Sequence, residues 1–327
     1  MELHTRNVNT AIAEMLWKMK ISGVEENTRN GPALVYPEPV MTIYQKPQER
    51  VLFWGERDAN PVFHLMESIY ILAGRRDVKF PAMFNSRIGQ YSDDGLDFNA
   101  AYGWRIRNHF GFDQLENVIT ALRDNPTTRR AVMQIWCPLD LLNTTTKDMA
   151  CNTQIMFEIK EGELNMTVIN RSNDGWYGAY GANVVHFSFL MEFVAHAVGV
   201  PMGLYRQFSH NFHFYTELYD IKKYMVVPPN PEAYDMYAKG VRPRPIMQNG
   251  DWKGFLDDCK EFCHDPFAHP RYVHEFFHNV AYPMAMVSKV RKEKSGDGLK
   301  WADMIEADDW RIATEDWVER REAAKAK

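Results

Sequence analysis

Residues 150–198 read ACNTQIMFEIKEGELNMTVINRSNDGWYGAYGANVVHFSFLMEFVAHAV. Thr153–Ile159 and Leu164–Asn170 are two strand-like runs parted by the turn Lys160-Glu-Gly-Glu163, a spacing that predicts a β-hairpin. From Asn183 to Val198 the chain is mainly apolar over a helical length and predicts a long core helix. Working outward, strands are expected at Gly203–Phe208 and at Arg130–Trp136, the latter stopped by Cys137-Pro138. Extended chain is expected around Val40–Tyr44 and Val51–Trp54. Helices are expected near Thr10–Lys20 and from Asn60-Pro61 through Glu67 to Gly74, where Pro opens and Gly closes the run. Asp113–Asp124 places Leu115, Val118, Ile119 and Leu122 on one helical face. Strands and helices mixed in one continuous pattern, without repeats, predict a single α+β domain over 1–327. A charged, helical tail from Lys300 ends a variable C-terminal extension that starts at about residue 240.

The 327 residues are 45% hydrophobic and 25% charged, ordinary for a globular protein with a sizeable core. A net charge of −5 argues against a broad basic footprint for duplex nucleic acid, and leaves room for a local anion pocket. Cys137, Cys151, Cys259 and Cys263 are too few for a disulfide framework in a chain this long. The opening MELHTRNVNTAIAEM has no apolar run of signal-peptide length, and no stretch is read as a membrane span. The expectation is a reducing cytoplasm, that of a bacterium or a phage-infected host.

The chemistry concentrates between Tyr102 and Tyr215. In order come Tyr102-Gly-Trp-Arg105, Thr128-Arg-Arg130, Ala150-Cys-Asn152, Asn170-Arg-Ser-Asn-Asp174, Gly178 to Asn183, and His213-Phe-Tyr215. On its own, Cys151 reads as an inert buried thiol or as a nucleophile. Arg129-Arg130 reads as a solvated basic pair, Glu67 as a polar helix position, and His213 with Tyr215 as a half-exposed strand pair. The ordered series resembles the thymidylate synthase superfamily, including its pyrimidine nucleotide hydroxymethylases. The resemblance covers about 115 contiguous residues and extends more weakly back to Glu67.

That resemblance implies a three-layer α+β fold whose mixed, twisted sheet packs against the same sheet of a second subunit. It implies one-carbon transfer from 5,10-methylenetetrahydrofolate to C5 of a pyrimidine nucleoside monophosphate, with no metal. Cys151 becomes the nucleophile that attacks C6, supported as thiolate by Arg171, since a nearby cation lowers a thiol pKa. Arg129 and Arg130 become phosphate ligands given across the dimer to join Arg171 and Ser172, their forked guanidinium groups matching phosphate oxygens. Arg29 joins this cluster through a short match, Arg-Asn-Gly. Glu67 organises water and relays protons near O4, Tyr102 assists loss of the C5 proton, and Asp174 contacts the folate ring. His213 and Tyr215 hold the sugar 3′-hydroxyl. Asn183 offers donor and acceptor to N3–H and O4 of uracil, where a carboxylate suits cytosine.

Three departures from ordinary synthases bear on the product. Asn152 stands where they carry histidine after the nucleophile. Asn85-Ser-Arg-Ile-Gly-Gln-Tyr91 replaces a tryptophan-containing segment. A polar tail ending Arg321-Glu-Ala-Ala-Lys-Ala-Lys327 replaces a short apolar C-terminus that seals the site. A wetter site favours quenching the methylene intermediate with water over hydride transfer. The expectation is therefore 5-hydroxymethylation of dUMP, then of dCMP, with thymidylate synthesis proper as the alternative. Two further readings compete: a nucleotide-binding module without turnover, and a zinc hydrolase through His274-Glu275-Phe-Phe-His278. Cys259 and Cys263, with His264, His269, Asp257 and Asp258, read as a metal cluster or, preferably, as one amphipathic turn.

Overall fold

The first helix shows how local sequence sets the frame. Asn7 accepts from the backbone N–H groups of Asn9 and Thr10, and Thr10 returns a bond to the Asn7 N–H. This reciprocal cap satisfies groups that a helix start otherwise leaves open. Helix α1 (Val8–Ser22) follows and buries Val8, Ala11, Ile12, Met15, Leu16 and Met19. The computed structural model describes residues 1–248, 250–269 and 271–325, so Ala326 and Lys327 of the expected tail lie outside the described residues.

Ten strands form two sheets. The larger runs β1 (Glu2–Thr5), β4 (Val40–Tyr44), β9 (Met202–Ser209), β7 (Glu163–Asn170), β6 (Asn152–Lys160) and β5 (Val132–Gln134). It is mixed: β1 is parallel to β4 and β7 to β9, while the other pairs are antiparallel. The smaller sheet runs β2 (Val24–Thr28), β3 (Gly31–Val35), β10 (Phe212–Tyr215) and β8 (Asn173–Asp174). The hairpin of β6 and β7 forms as expected. Glu161 and Gly162, at φ 54° and 79°, supply the left-handed pair that a two-residue turn requires.

Along β6, β7 and β9, Ile155, Phe157, Met166, Val168 and Tyr205 point inward and are buried. Helix α4 (Asn183–Val198) lies on this inner face among them. Together with the π-helical turn Gly175–Ala182 it makes a 24-residue helical run apolar and long enough to cross a membrane, but 83% of its window is buried in the protein. It serves as the core's central helix. Helix α2 (Pro61–Leu72), capped by Asn60, and α3 (Gln114–Asp124), capped by Asp113, also pack on α4.

One expected strand is corrected by the structure, and two other expectations gain detail. Val51–Trp54 joins no sheet, because the backbone N–H of Val51 goes to the Tyr237 hydroxyl and that of Phe53 to Asn9. The strand expected over Arg130–Trp136 shortens to β5, because the Ile135 and Trp136 N–H groups both donate to Thr153 and break the ladder. The tail is less polar in effect than its composition. Helix α7 (Asp308–Lys325) presents Trp310, Ala313, Trp317 and Val318 to the core, and it packs on α2, as do α5 (Trp252–His264) and α6 (Tyr282–Glu293). Arg320 and Arg321 then hold Asp58, in the turn ahead of α2.

Gly103 sits where the Tyr102 turn crosses α2. A Cβ there would lie 2.2 Å from the Ile71 carbonyl oxygen, a backbone clash that no rotamer relieves. Gly103→Ala is expected to destabilise the fold by at least about 1–3 kcal/mol, measured by chemical denaturation. Wild-type stability in this variant contradicts the packing.

Candidate active site

The carboxyl end of β7 returns to the start of β6, and this places the central pair. The Arg171 N–H donates to the Cys151 carbonyl at 2.9 Å. Its guanidinium donates to the carbonyls of Ala150 at 2.8 Å and Met149 at 3.2 Å, and one of its nitrogens stands 4.0 Å from the Cys151 Sγ. Trp136 lies under the same guanidinium at 5.6 Å. Thr28, Arg29, Asn30, Trp136, Met149, Arg171 and Tyr215 line a cleft of about 380 Å³ beside this pair. Cys151 is half-buried, and desolvation pushes its thiol up; Arg171 and, more weakly, Arg29 pull it down, while Asp148 and Asp174 oppose them. Within one chain burial outweighs both arginines, and the thiol stands above its ordinary value.

Next to the thiol, a buried chain of amides crosses the floor. Asn152 donates to Asn183 at 3.4 Å, Asn183 donates to Asn173 at 3.0 Å, and Asn173 donates to Ser209 at 3.0 Å. The Asn152 side-chain oxygen has no protein partner. Asn183 retains one N–H and one lone pair, because an amide offers two of each. Gly178 allows this chain to close, since a Cβ there would lie 2.7 Å from the Asn173 oxygen. Tyr102 stacks on Phe187 at 5.9 Å, and burial drives its hydroxyl well above the ordinary range.

On the smaller sheet, β10 is paired so that His213 and Tyr215 share a face, their rings 4.8 Å apart. His213 bonds Asn211 at 2.8 Å, Tyr215 accepts from Asn30 at 3.2 Å, and burial lowers the His213 pKa. Asp174 caps the π-helical turn by accepting from Trp176 and Tyr177, with the Tyr219 hydroxyl at 3.5 Å. Desolvation raises its carboxyl to about 6, against the pull of those N–H groups and of Arg57. Arg57, buried between Trp176 and Tyr177, was not expected from sequence; its Nε donates to the Trp176 carbonyl at 2.7 Å.

Glu67 faces His186, with Oε2 and Nε2 3.1 Å apart but off the line of a good hydrogen bond. His186 also escaped the sequence reading, although it lies three residues after Asn183, on the same helix face. Ser172 is half-buried beside Arg171. Arg129 and Arg130 do not line the cleft. They stand exposed before β5 with no side-chain partner among the described residues.

The zinc reading fails on geometry. The helix begins at Glu275, so His274 lies outside it and bonds Asp258 at 2.7 Å and the Asp251 carbonyl at 3.1 Å. His278 instead bonds the Tyr272 carbonyl at 2.7 Å. Cys259 and Cys263 are buried core residues of α5, and no group of three candidate metal ligands occurs among the described residues.

A thiol beside an arginine, flanked by buried amides, makes this cleft a candidate transferase site. The chain belongs to the thymidylate synthase family, whose model matches residues 45–232. It is 45% identical to the deoxyuridylate hydroxymethyltransferase of Pseudomonas phage M6, over 98% of this chain and 95% of the relative. Identity to the deoxyuridylate hydroxymethyltransferase of Bacillus phage SP01 is 42%, over 56% of this chain and 51% of that protein. A putative thymidylate synthase of Methanosarcina barkeri is 37% identical over 40% of this chain and 59% of its own length.

Asp174 carries a pH signature. Its carboxyl lies near 3.8 when unfolded and near 6 when folded. The folded chain therefore holds this proton more tightly, and the associated stability, complete below the unfolded value, is lost as pH rises through about 6. Asp174→Asn is expected to remove this fall, read by urea denaturation across that window. An unchanged pH dependence contradicts the shift.

Proposed function

We propose that this chain takes the methylene of 5,10-methylenetetrahydrofolate to C5 of dUMP and completes the reaction with water, giving 5-hydroxymethyl-dUMP and tetrahydrofolate. The observation that carries the base choice is the buried amide chain beside Cys151, which leaves Asn183 one donor and one acceptor for O4 and N3–H of uracil. Hydroxymethylation is supported by the similarity to the phage M6 enzyme over almost the whole chain. It is also supported by Asn152, which stands where ordinary synthases carry histidine.

In this reading Cys151 adds to C6, which makes C5 a carbon nucleophile toward the folate methylene. Arg171 steadies the thiolate and, with Arg29 and Ser172, the phosphate. His213 and Tyr215 hold the sugar, Tyr102 serves loss of the C5 proton, and Asp174 receives the folate ring. Glu67 manages protons near O4. Loss of the C5 proton breaks the methylene–nitrogen bond and expels tetrahydrofolate, water adds to the exocyclic methylene, and the thiolate then leaves C6.

The working unit is a homodimer. The outer face of the larger sheet carries half-buried Met41, Met156, Thr167, Ile169, Leu204 and Phe208 around the Arg206–Glu158 ion pair, a mainly apolar face suited to a second copy. Arg129 and Arg130 then supply the partner's site with the positive charge that one chain lacks, lowering the thiol further. Residues 1–327 act as one domain, since the core extends without a break from Leu3 to Val318. The setting is the cytoplasm of a bacterium or a phage-infected host.

Mass spectrometry of product from dUMP and dCMP, in separate reactions with methylenetetrahydrofolate, tests the function. A hydroxymethyl group on dUMP is expected. A methyl group with dihydrofolate means thymidylate synthesis, and wild-type binding without turnover means a binding module. Asn183→Asp is expected to lose at least about tenfold in dUMP turnover, of the size of one misplaced polar contact. Its carboxylate would face the Asn173 oxygen, and a gain on dCMP requires the Asn173 amide to turn over. Undiminished dUMP turnover contradicts this role for Asn183.

A further inference from the structure

The two ways of finishing the reaction differ in their proton balance. Hydride transfer to the exocyclic methylene releases no proton. Addition of water does: the C–O bond forms, one O–H bond breaks, and the π pair moves from the methylene toward C4 and O4. The site of a hydroxymethylase therefore needs a base at the methylene, held with its lone pair toward the water.

Glu67 and His186 meet this need from two facing helices. Glu67 is on α2 and His186 on α4, three residues beyond Asn183. Their side chains are 23% and 3% exposed, and the carboxylate oxygen lies 3.1 Å from Nε2. Among the described residues that imidazole nitrogen makes no hydrogen bond, so Glu67 is its near neighbour and has room to turn onto it. The ring is backed edge-on by His64 at 6.4 Å. Burial, Arg57 and His186 itself hold His64 well below its ordinary pKa. The charged and titratable groups around the pair are thus His64 from α2, Arg57 from the turn ahead of it, and Tyr102 and Tyr70, both of which feel the Glu67 charge.

We propose that His186 is a positioning residue that aims the Glu67 carboxylate at the attacking water and stabilises it after it takes the proton. This rests on the hydroxymethylation reading. Glu67 accepts the proton as the C–O bond forms. The enolate then collapses, C5=C6 re-forms, the C6–S bond breaks, and the departing Cys151 thiolate balances the proton left on the Glu67–His186 pair. No oxidant or reductant is required.

The test separates early from late chemistry. With dUMP tritiated at C5, tritium release reports all steps through loss of the C5 proton, while hydroxymethyl product reports water addition. In a single turnover of His186→Gln, which keeps polarity but cannot take up a proton, tritium release is expected within about twofold of wild type and hydroxymethyl product at least about tenfold slower. The methylene adduct on Cys151 should accumulate in the intact-protein mass spectrum, and the acid limb of the kcat profile should move while KM for dUMP stays. His186→Asn serves as a second variant if the first fails to fold. Equal loss of both readouts in a folded variant makes His186 merely structural and overturns the proposal, as does no loss in either. A methylated product from the wild type overturns the underlying reading instead, and is seen before any variant is made.

Discussion

The return of β7 onto the start of β6 is the constraint on which the rest depends. The Arg171 N–H and guanidinium bind the backbone of residues 149–151, so nucleophile and cation are fixed to each other by main-chain hydrogen bonds. A site whose groups must hold within fractions of an ångström gains from such anchoring. The same hairpin registers Asn152 opposite Asn170. That register puts Asn152 at the head of the amide chain, and β8, two residues further on, aligns Asn173 and Asp174 with β10.

Electrostatics then decides what one chain can do alone. Burial raises the Cys151 thiol and the Asp174 carboxyl together, a pattern often found where chemistry is done. Arg171 is committed to three groups around Cys151, and Arg57 to the Trp176 carbonyl and the neighbouring rings. Among the described residues, Arg29 at the cleft and the exposed pair Arg129 and Arg130 have no side-chain partner. The C-terminal region works from behind. Helix α7 holds Asp58 by two arginines, which fixes the turn that carries Arg57 under the aromatic wall.

Much of this was legible in the sequence. The hairpin, the helix from Asn183 and the helices capped by Asn60 and Asp113 follow from period, turn and cap residues, all of them local signals. The motifs also led to the cleft, which Arg29, Arg171 and Tyr215 line, with Cys151 beside Arg171. What could not be read depends on distant partners. Val51–Trp54 forms no strand because Asn9 and Tyr237 claim its N–H groups. The apolar stripe of α7 is diluted by charge, and it becomes visible only once Trp310 and Trp317 meet the core. The zinc pattern at His274 dissolved because the helix starts one residue too late. Tryptophan is indeed absent from residues 85–91, yet Tyr177, Tyr219 and Trp176 gather around Asp174.

The claim at the centre is that water, and not hydride, ends the reaction on the Cys151-bound intermediate. A single-turnover experiment with dUMP and methylenetetrahydrofolate deuterated at its transferable hydride position tests it most directly. The account predicts that all deuterium stays on the released tetrahydrofolate while the nucleotide gains an unlabelled hydroxymethyl group. Deuterium in a nucleotide methyl group, with dihydrofolate released, would contradict it.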